Sequence, residues 1–344
     1  MELTNRVWKE FFIEDIFKIK SGKRLTKADM VNGNIPFIGA TDSNNGITEF
    51  IANKNTSLDK NVLGVNYNGS VVYNFYHSYE AVFSDDVKRL SFKEIEGNKY
   101  TFLFVKALIL QQKSKYEYGY KFNGERMKRQ KILLPINSKG KPDYAFMENY
   151  MKQKETELLE KYENLVSLTE QNIKLNPEIE WKEFRIGDVF SVSTGALLPK
   201  DILKKGKIAR LTATDNNNGI FDFYEPVNHK NYREISNFIS VSFLGSVFYH
   251  PYKASLDMKI HAVQIPNLEL NRYVAEFLVF CFKRMASTSS YGNQLSSTDL
   301  PKKKILLPIN NNGQPDFVYM ENYMKALETD KLKQYLEYKK LKTT

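Results

Sequence analysis

Cysteine, histidine and long apolar runs are scarce in this chain of 344 residues. Its one cysteine, Cys281, excludes a disulfide framework within the chain and a cysteine-rich zinc site, and its apolar neighbours VAEFLVFCF indicate a buried position. The longest apolar segments are interrupted by Lys106 or Glu276 and are too short to cross a bilayer. Since no signal peptide is visible either, we expect a cytoplasmic protein that does not contact a membrane.

Motifs for catalysis are missing as well. None of the four histidines stands at metal-ligand spacing from a second histidine or cysteine. The sequence lacks the Asn/Asp-Pro-Pro-Tyr/Phe tetrapeptide of amino-methyltransferases, a Gly-x-Gly nucleotide loop, a Gly-x-x-x-x-Gly-Lys-Ser/Thr loop and a Gly-x-Ser-x-Gly turn. Asp257-Met258-Lys259 matches a fragment of a nuclease motif but has no convincing acidic partner upstream. We therefore predict a chain that is not an enzyme and holds no metal or cofactor of its own.

Positive charge is plentiful and unevenly distributed. The formal net charge of +10 divides into +8 for residues 1–142, −3 for 143–176, +4 for 177–314 and +1 for 315–344. Basic blocks beside an acidic connecting stretch favour a polyanion that is bound by the blocks. The alternative is a surface that is basic only because lysine and asparagine are abundant.

An internal repeat organises the whole chain. Similar segments recur 173 residues apart, as a tandem duplication requires. The pairs are WKEF at 8–11 and 181–184, ATDSNNGI and ATDNNNGI at 40–47 and 213–220, KILLPIN at 131–137 and 304–310, and PDYAFMENYMK and PDFVYMENYMK at 142–152 and 315–325. We predict an α+β fold with an internal pseudo-twofold repeat, in which two globular blocks alternate with two long helices. The expected limits are 1–141, 142–176, 177–314 and 315–344.

Each block contains the same run of local patterns. FFIEDIFKI reads as strands, the Asn-Gly steps predict tight turns with positive φ, and KILLPIN reads as a short linker. VLGVNYNGSVVYNFY and FISVSFLGSVFYHPY predict hairpins. YTFLFVKALILQQK and YVAEFLVFCFKRM predict one buried helix in each block.

The long helices carry apolar residues at steps of three and four, which is typical of a coiled coil. Asp143 and Asp316 are positioned to cap their first turns, and Pro177 should end the first helix. The economical arrangement is an antiparallel coiled coil that spaces the blocks. The predicted seam is Tyr144, Met147, Met151, Leu158, Tyr162 and Leu165 with Phe317, Met320, Met324, Leu327, Tyr335, Tyr338 and Leu341.

Flexible cations on turns suit phosphate contacts, while amides, hydroxyls and aromatic rings on nearby loops suit base edges. The cations predicted to bind DNA are Lys23, Arg24, Lys27, Lys200, Lys204 and Lys253. The polar loop residues are Thr41, Ser43, Asn44, Asn45, Asn216 and Asn217. The aromatic and amide cluster is Tyr67, Asn68, Tyr73, Asn74, Tyr76 and His77, matched by Tyr249, His250 and Tyr252. The alternative is that the asparagine loops are only turns and that the histidines bond the backbone.

With these segments in place, the chain resembles the specificity subunit of type I restriction–modification systems over essentially its whole length. The resemblance rests on WKEF, IPFIGATDSNNGI, the GSVVYNFY and GSVFYHPY loops, KILLPI and the long helices. It implies two target-recognition domains that each read half of a split double-stranded DNA sequence. It also implies helices that set the unread spacing and dock two modification subunits. S-adenosylmethionine, ATP and Mg²⁺ would belong to those partners, which a restriction–translocation subunit can join.

Three alternatives remain open at this point. The chain is also similar to the specificity subunit of BcgI-like type IIB enzymes, in which one partner polypeptide both methylates and cuts. A self-contained DNA-modifying enzyme with an unrecognised active site would show turnover by itself. The third alternative is a coiled-coil adaptor that does not bind nucleic acid as its function. Any DNA affinity measured for it would not depend steeply on salt concentration, because no phosphate contacts are built into it.

Overall fold

The computed structural model describes residues 2–116, 119–173, 175–287 and 294–343. The chain divides into two compact units, Met1–Glu160 and Lys161–Thr344, and the boundary falls inside the first long helix. Each unit contains one copy of the repeat, so the predicted tandem α+β organisation is confirmed. The finer limits 1–141, 142–176, 177–314 and 315–344 stay predictions.

The first unit contains two sheets and a two-stranded ribbon. Its strands are β1 (Trp8–Phe12), β2 (Phe17–Ser21), β3 (Asn32–Ile38), β4 (Ile47–Ile51), β5 (Val62–Asn66), β6 (Asn74–His77), β7 (Val82–Phe83), β8 (Val87–Phe92) and β9 (Lys131–Pro135). The sheet with strand order β2-β8-β5-β6 is antiparallel, the sheet β4-β3-β7 includes a parallel β3–β7 pair, and the ribbon consists of β1 and β9. Its helices are α1 (Ile13–Ile16), α2 (Lys99–Leu110), α3 (Gly124–Arg129) and α4 (Tyr144–Asn172), of which the last continues into the second unit.

The second unit repeats this topology and adds one short strand, β14. Its sheets are β11-β18-β15-β16 and β13-β12-β17-β14, with a β10–β19 ribbon. Its strands are β10 (Trp181–Arg185), β11 (Ser191–Thr194), β12 (Lys205–Leu211), β13 (Ile220–Tyr224), β14 (Glu234–Ile235), β15 (Phe238–Ser242), β16 (Val247–His250), β17 (Ala254–Leu256), β18 (Ile260–Gln264) and β19 (Lys304–Pro308). Its helices are α5 (Ile186–Val189), α6 (Arg272–Ala286) and α7 (Phe317–Thr343).

The KILLP segments are strands, so their reading as linkers is wrong. β1 pairs antiparallel with β9, with Trp8 opposite Pro135, and β10 pairs with β19 in the same register, with Trp181 opposite Pro308. In both copies the second and fourth residues of KILLP are buried while the first and third are exposed. This alternation is that of a strand with one face on a core. The first and last strands of each block therefore close it before the long helix begins.

A helical turn interrupts FFIEDIFKI, which is therefore not a pair of uninterrupted strands. Ile13 and Ile16 are both buried, and residues three apart share a face only in a helix. The four-residue α1 separates β1 from β2, and α5 does the same in the second unit.

The predicted buried helices and hairpins are confirmed. Asn98 caps α2 through its side chain, and Asn271 caps α6. The apolar faces of α2 and α6 lie in the largest core cluster of their own units. β5–β6 and β15–β16 are the antiparallel hairpins around the Gly-Ser turns.

Both long helices are capped as predicted and dock on their own unit. The Phe146 amide donates to Asp143 Oδ1 at 3.0 Å, and the Tyr319 amide donates to Asp316 Oδ1 at 2.8 Å. About three turns further along each helix, the Tyr100 hydroxyl donates to Glu155, and the Tyr273 hydroxyl donates to Glu328 at 2.9 Å.

Within the second unit the last part of α4 packs antiparallel to α7. Lys333 pairs with Glu170 and Lys340 pairs with Glu163, so residue numbers rise along α7 in the direction in which they fall along α4. The predicted seam residues Leu158, Leu165, Leu327, Tyr338 and Leu341 are exposed, and this part of the prediction is wrong. Tyr335 contacts the predicted seam residue Tyr162 edge-on, with ring centres 6.1 Å apart, so this pair is confirmed. Val166, Thr329 and Leu336 are buried instead. Apolar residues surround both helices, so a spacing of three and four fits more than one face. The first helix ends at Asn172, before Pro177.

Candidate nucleic-acid interface

The asparagine loops form the tight left-handed turns that their Asn-Gly steps predict. Asn44, Asn45 and Gly46 have φ of 47°, 53° and 79°, and residues 217–219 repeat this conformation. Asn44 Nδ2 donates to the Ile47 carbonyl at 3.1 Å, and Asn45 Nδ2 donates to the Tyr79 hydroxyl at 2.9 Å. Both asparagines are exposed, so the turn presents amide groups to solvent on a backbone that is already fixed.

The Gly-Ser turn between β5 and β6 lies against this loop. Asn66 Nδ2 donates to the Thr41 carbonyl at 2.8 Å, and the Ser70 amide donates to the Ala40 carbonyl at 3.1 Å. Gly69 has φ of 58°, and a Cβ there would lie 2.4 Å from the Ala40 oxygen, so only glycine permits this approach. In the second unit the Ser246 hydroxyl donates to Asp215, while Asn216 and Asn217 stay exposed.

The predicted cations of the first unit lie on one exposed segment after β2. Lys23, Arg24 and Lys27 are exposed; the partners of Arg24 and Lys27 are Asp85 at 3.9 Å and Glu49 at 3.5 Å. Such open ion pairs are weak and are easily exchanged for a phosphate. Lys200 and Lys204 are likewise exposed on the matching segment of the second unit.

Lysines that sequence reasoning missed lie over the aromatic cluster. Lys88 Nζ lies 4.6 Å from the centre of the Tyr67 ring, and Lys113 Nζ lies 4.2 Å from that of Tyr73, whose hydroxyl accepts a hydrogen bond at 2.9 Å. Lys106 Nζ lies 5.2 Å from the Phe75 ring, and burial lowers its pKa. Lys106 interrupts an otherwise apolar helix, which was the available signal for a functional cation.

Carboxylates accompany these cations. Asn68 Nδ2 donates to Asp86 at 3.0 Å, and burial together with Asp86 and Asp85 raises the pKa of Tyr67. Carboxylates repel phosphates but accept a hydrogen bond from the cytosine amino group. This part of the surface is therefore suited to a base edge rather than to the backbone.

Three of the residues predicted to contact DNA are buried in the interior, so the prediction of a direct DNA contact is wrong for them. Asn74, His77 and His250 are 1%, 0% and 0% exposed; Asn74 and His77 are the two end residues of β6, and His250 is the last residue of β16. Burial lowers the pKa of both histidines to about 4, so they are neutral at pH 7. His250 Nε2 lies 2.8 Å from the Ser240 hydroxyl, whereas His77 Nε2 is buried without a partner.

Tyr76 and Tyr249 hold the framework of their hairpins. The Tyr76 hydroxyl donates to Asn61, and Tyr249 bonds Asn237 in the same way. Tyr252, in contrast, is 39% exposed. Lys253, the next residue along the chain, is also exposed and pairs with Glu234 at 2.9 Å. The exposed members of the set stay predicted DNA contacts.

The model of the type I restriction modification DNA specificity domain matches residues 5–166 and 178–338, once over each repeat. The chain belongs to this family. It carries two specificity domains in tandem.

Individual relatives are similar over different extents. The specificity subunit of the type II restriction enzyme BcgI from Heyndrickxia coagulans is 65% identical over 152 residues, which are 44% of this chain and 45% of that protein. The chain thus matches less than half the length of this relative. The type I S subunit of M. genitalium is 16% identical (TM-score 0.45), with 98% of this chain and 94% of that chain covered. The HsdS subunit of Thermoanaerobacter tengcongensis is 10% identical (TM-score 0.32), with 98% and 92% covered.

Over residues 2–116, 119–173, 175–287 and 294–343, no helix combines the length and apolar character needed to span a membrane. The same part of the chain contains no group of three or more metal-ligating side chains.

Proposed function

We propose that the chain is the DNA-reading subunit of a restriction–modification complex, in which each unit recognises one half of a split double-stranded target. The observation that carries the proposal is a duplicated specificity domain whose framework bonds are kept while its exposed loops differ. Asn45 bonds Tyr79 in the first unit, whereas Ser246 bonds Asp215 in the second. Different donors on equal scaffolds would read different bases.

The chemistry of the surface supports this role. Exposed lysines on the segments after β2 and β11 would contact phosphates, which set affinity and position. The turn amides, Asp86 and the exposed tyrosines would contact base edges and stacked faces. Catalysis, with S-adenosylmethionine, ATP and Mg²⁺, would belong to the modification and restriction partners.

Coexpression with the modification subunit tests the proposal. We expect adenine methylation at a bipartite sequence, mapped by single-molecule sequencing of the host DNA. Exchange of residues 1–141 for those of a relative should change one half of that sequence only. Methylation that ignores the exchange, or turnover by the isolated chain with DNA, Mg²⁺ and S-adenosylmethionine, contradicts the proposal.

A second candidate concerns the partner set. The 65% identity to the BcgI specificity subunit favours a partner polypeptide that both methylates and cuts. Purification of the chain with its coexpressed partner distinguishes the two. A single partner that cleaves on both sides of the methylated site supports the BcgI-like assembly, and separate modification and restriction polypeptides support the type I assembly.

A further inference from the structure

An arginine fills a pocket at the base of the long helix in the first unit. Arg6 pairs with Asp143, its guanidinium carbon lies 4.4 Å from the centre of the Phe146 ring, and it donates to the Ile136 carbonyl at 3.4 Å. A carboxylate below a guanidinium and an aromatic ring on its face are the two groups that bind arginine best. The first unit thus supplies its own arginine to this pocket.

The second unit repeats the frame of this pocket. The Asp143 amide donates to the Pro135 carbonyl at 2.8 Å, and the Asp316 amide donates to the Pro308 carbonyl at the same distance. The turn before each helix closes with the same amide-to-carbonyl bond at 2.9 Å, from Gly140 and from Gly313.

The aromatic wall is also kept. Phe146 stacks on Tyr150 with ring centres 6.0 Å apart, and its counterpart Tyr319 stacks on Tyr323 at 6.1 Å. The ring that faces Arg6 in the first unit therefore has an equally supported equivalent in the second.

The arginine itself is not repeated. Ile179 stands at the position that corresponds to Arg6, and the second unit has a polar cleft of about 820 Å³ there. The counterparts of the arginine and of its three binding groups line this cleft. They are Ile179, Ile309, Asp316 and Tyr319.

Charge differs between the two pockets. The turn before α4 carries Lys139 and Lys141, of which Lys141 pairs with Glu94 at 3.3 Å, whereas the turn before α7 has Asn312 and Gln314. Glu178 and Glu180 line the cleft of the second unit in place of uncharged Asn5 and Val7. Among the residues that the structure describes, no lysine or arginine pairs with Asp316, Glu178 or Glu180. This cleft is complementary to a cation and repels DNA.

We propose that the cleft is a slot for an arginine side chain of a partner protein, with its guanidinium on Asp316 and against Tyr319. Val318, which is 70% exposed at the rim, and Ile179 would cover the aliphatic part of that side chain. The first unit shows that this frame binds a guanidinium. Taking the modification subunit as the partner rests on the proposed function, whereas the slot does not.

The slot is tested on the full chain without DNA, by ligand-observed NMR titration with N-acetyl-arginine amide. We expect binding in the millimolar range and at least tenfold weaker binding of N-acetyl-citrulline amide, which has the same shape but no charge. Asp316→Asn should weaken binding about fivefold, the size of an exposed ion pair, while asparagine still caps α7. Equal binding of the two probes, or an unchanged affinity in Asp316→Asn, overturns the slot.

The partner is tested with Ile179→Arg, which places an arginine where Arg6 stands in the first unit. This variant should lose probe binding and assemble at least fivefold more weakly with the purified modification subunit, while Ile179→Leu should behave as the parent chain. Probe binding that is lost in Ile179→Arg without any change in assembly would exclude the modification subunit as the source of the arginine. A failed slot would leave the split DNA target of the coexpressed complex unchanged, so the two proposals fail separately.

Discussion

The buried histidines predict that acid destabilises each unit well above the range in which carboxylates titrate. In the folded first unit the pKa of His77 is about 4, against an ordinary value of 6.5. Above pH 6.5 the folded and unfolded states are both neutral at this residue, so it contributes no pH dependence. Below pH 6.5 the unfolded chain binds a proton that the folded unit excludes until about pH 4, and stability falls throughout this window.

The magnitude follows from the two pKa values. At pH 5 the free energy of unfolding should be lower by about 2 kcal/mol for each such histidine, and near pH 4 by about 3 kcal/mol. The second unit contains His250 with a pKa of about 4 and also His261, whose pKa is lowered by burial. It should therefore lose more stability than the first unit between pH 7 and pH 5.

Urea unfolding at pH 7 and pH 5 measures this difference. Each unit contains one of the two tryptophans, Trp8 and Trp181, so variants with either one changed to phenylalanine report on one unit by fluorescence. His77→Phe is the decisive variant, because the phenyl ring stays neutral at both pH values. It loses only the contact of His77 Nδ1 with the Tyr79 hydroxyl at 3.3 Å, since His77 Nε2 has no partner. Its first unit should lose about 2 kcal/mol less on acidification than that of the parent chain. An equal loss in both would refute the assignment.

Two further predictions concern DNA binding and backbone packing. Changing Lys23 or Lys200 to alanine should lower DNA affinity uniformly across sequences and reduce the slope of log affinity against log salt concentration by about one. The control Lys152→Ala, on the acidic helix, should change neither quantity. DNA titrations at several salt concentrations measure both. Gly22→Ala should cost about 2 kcal/mol or more in urea unfolding, because its Cβ would lie 2.0 Å from the Ser84 oxygen, whereas Gly124→Ala, with no atom within 4 Å, should be neutral or stabilising. An unchanged salt slope or an unaffected Gly22→Ala would contradict the respective reasoning.

The order of helices and strands was predictable because the duplication shows each local sequence pattern in two independent copies. The Asn-Gly turns, the buried helices and the caps at Asp143 and Asp316 depend on local chemistry that two copies share, and all of these were confirmed. The KILLP strands were misread because a strand at the end of a block pairs with β1 or β10, more than a hundred residues earlier in the chain. Local patterns do not reveal such a partner.

The site was harder to predict than the fold because residues next to each other in the sequence differ in whether they are buried or reach the surface. Asn74 and His77 are buried, whereas the Tyr73 hydroxyl accepts a hydrogen bond from the exposed Lys113. Aromatic residues favour strands and interfaces alike, so composition could not separate framework tyrosines from contact tyrosines. Lys88 was missed because only the folded chain brings its amino group over the Tyr67 ring, 4.6 Å from the ring centre.

The duplicated framework tolerates change when neighbours change together. Gly64 in the first unit leaves room for Phe83, since a Cβ there would lie 3.2 Å from that ring and 3.0 Å from His77 Nε2. The matching pair in the second unit is Ser240 with the smaller Leu256, and the Ser240 hydroxyl occupies the space beside His250 at 2.8 Å. Serine with phenylalanine would overpack the site, and glycine with leucine would leave a void. An exchange of one residue alone therefore crowds the site or empties it, whereas an exchange of the whole domain keeps each pair intact. Specificity would then be transferred most safely by moving complete units, with the reading loops on their own cores.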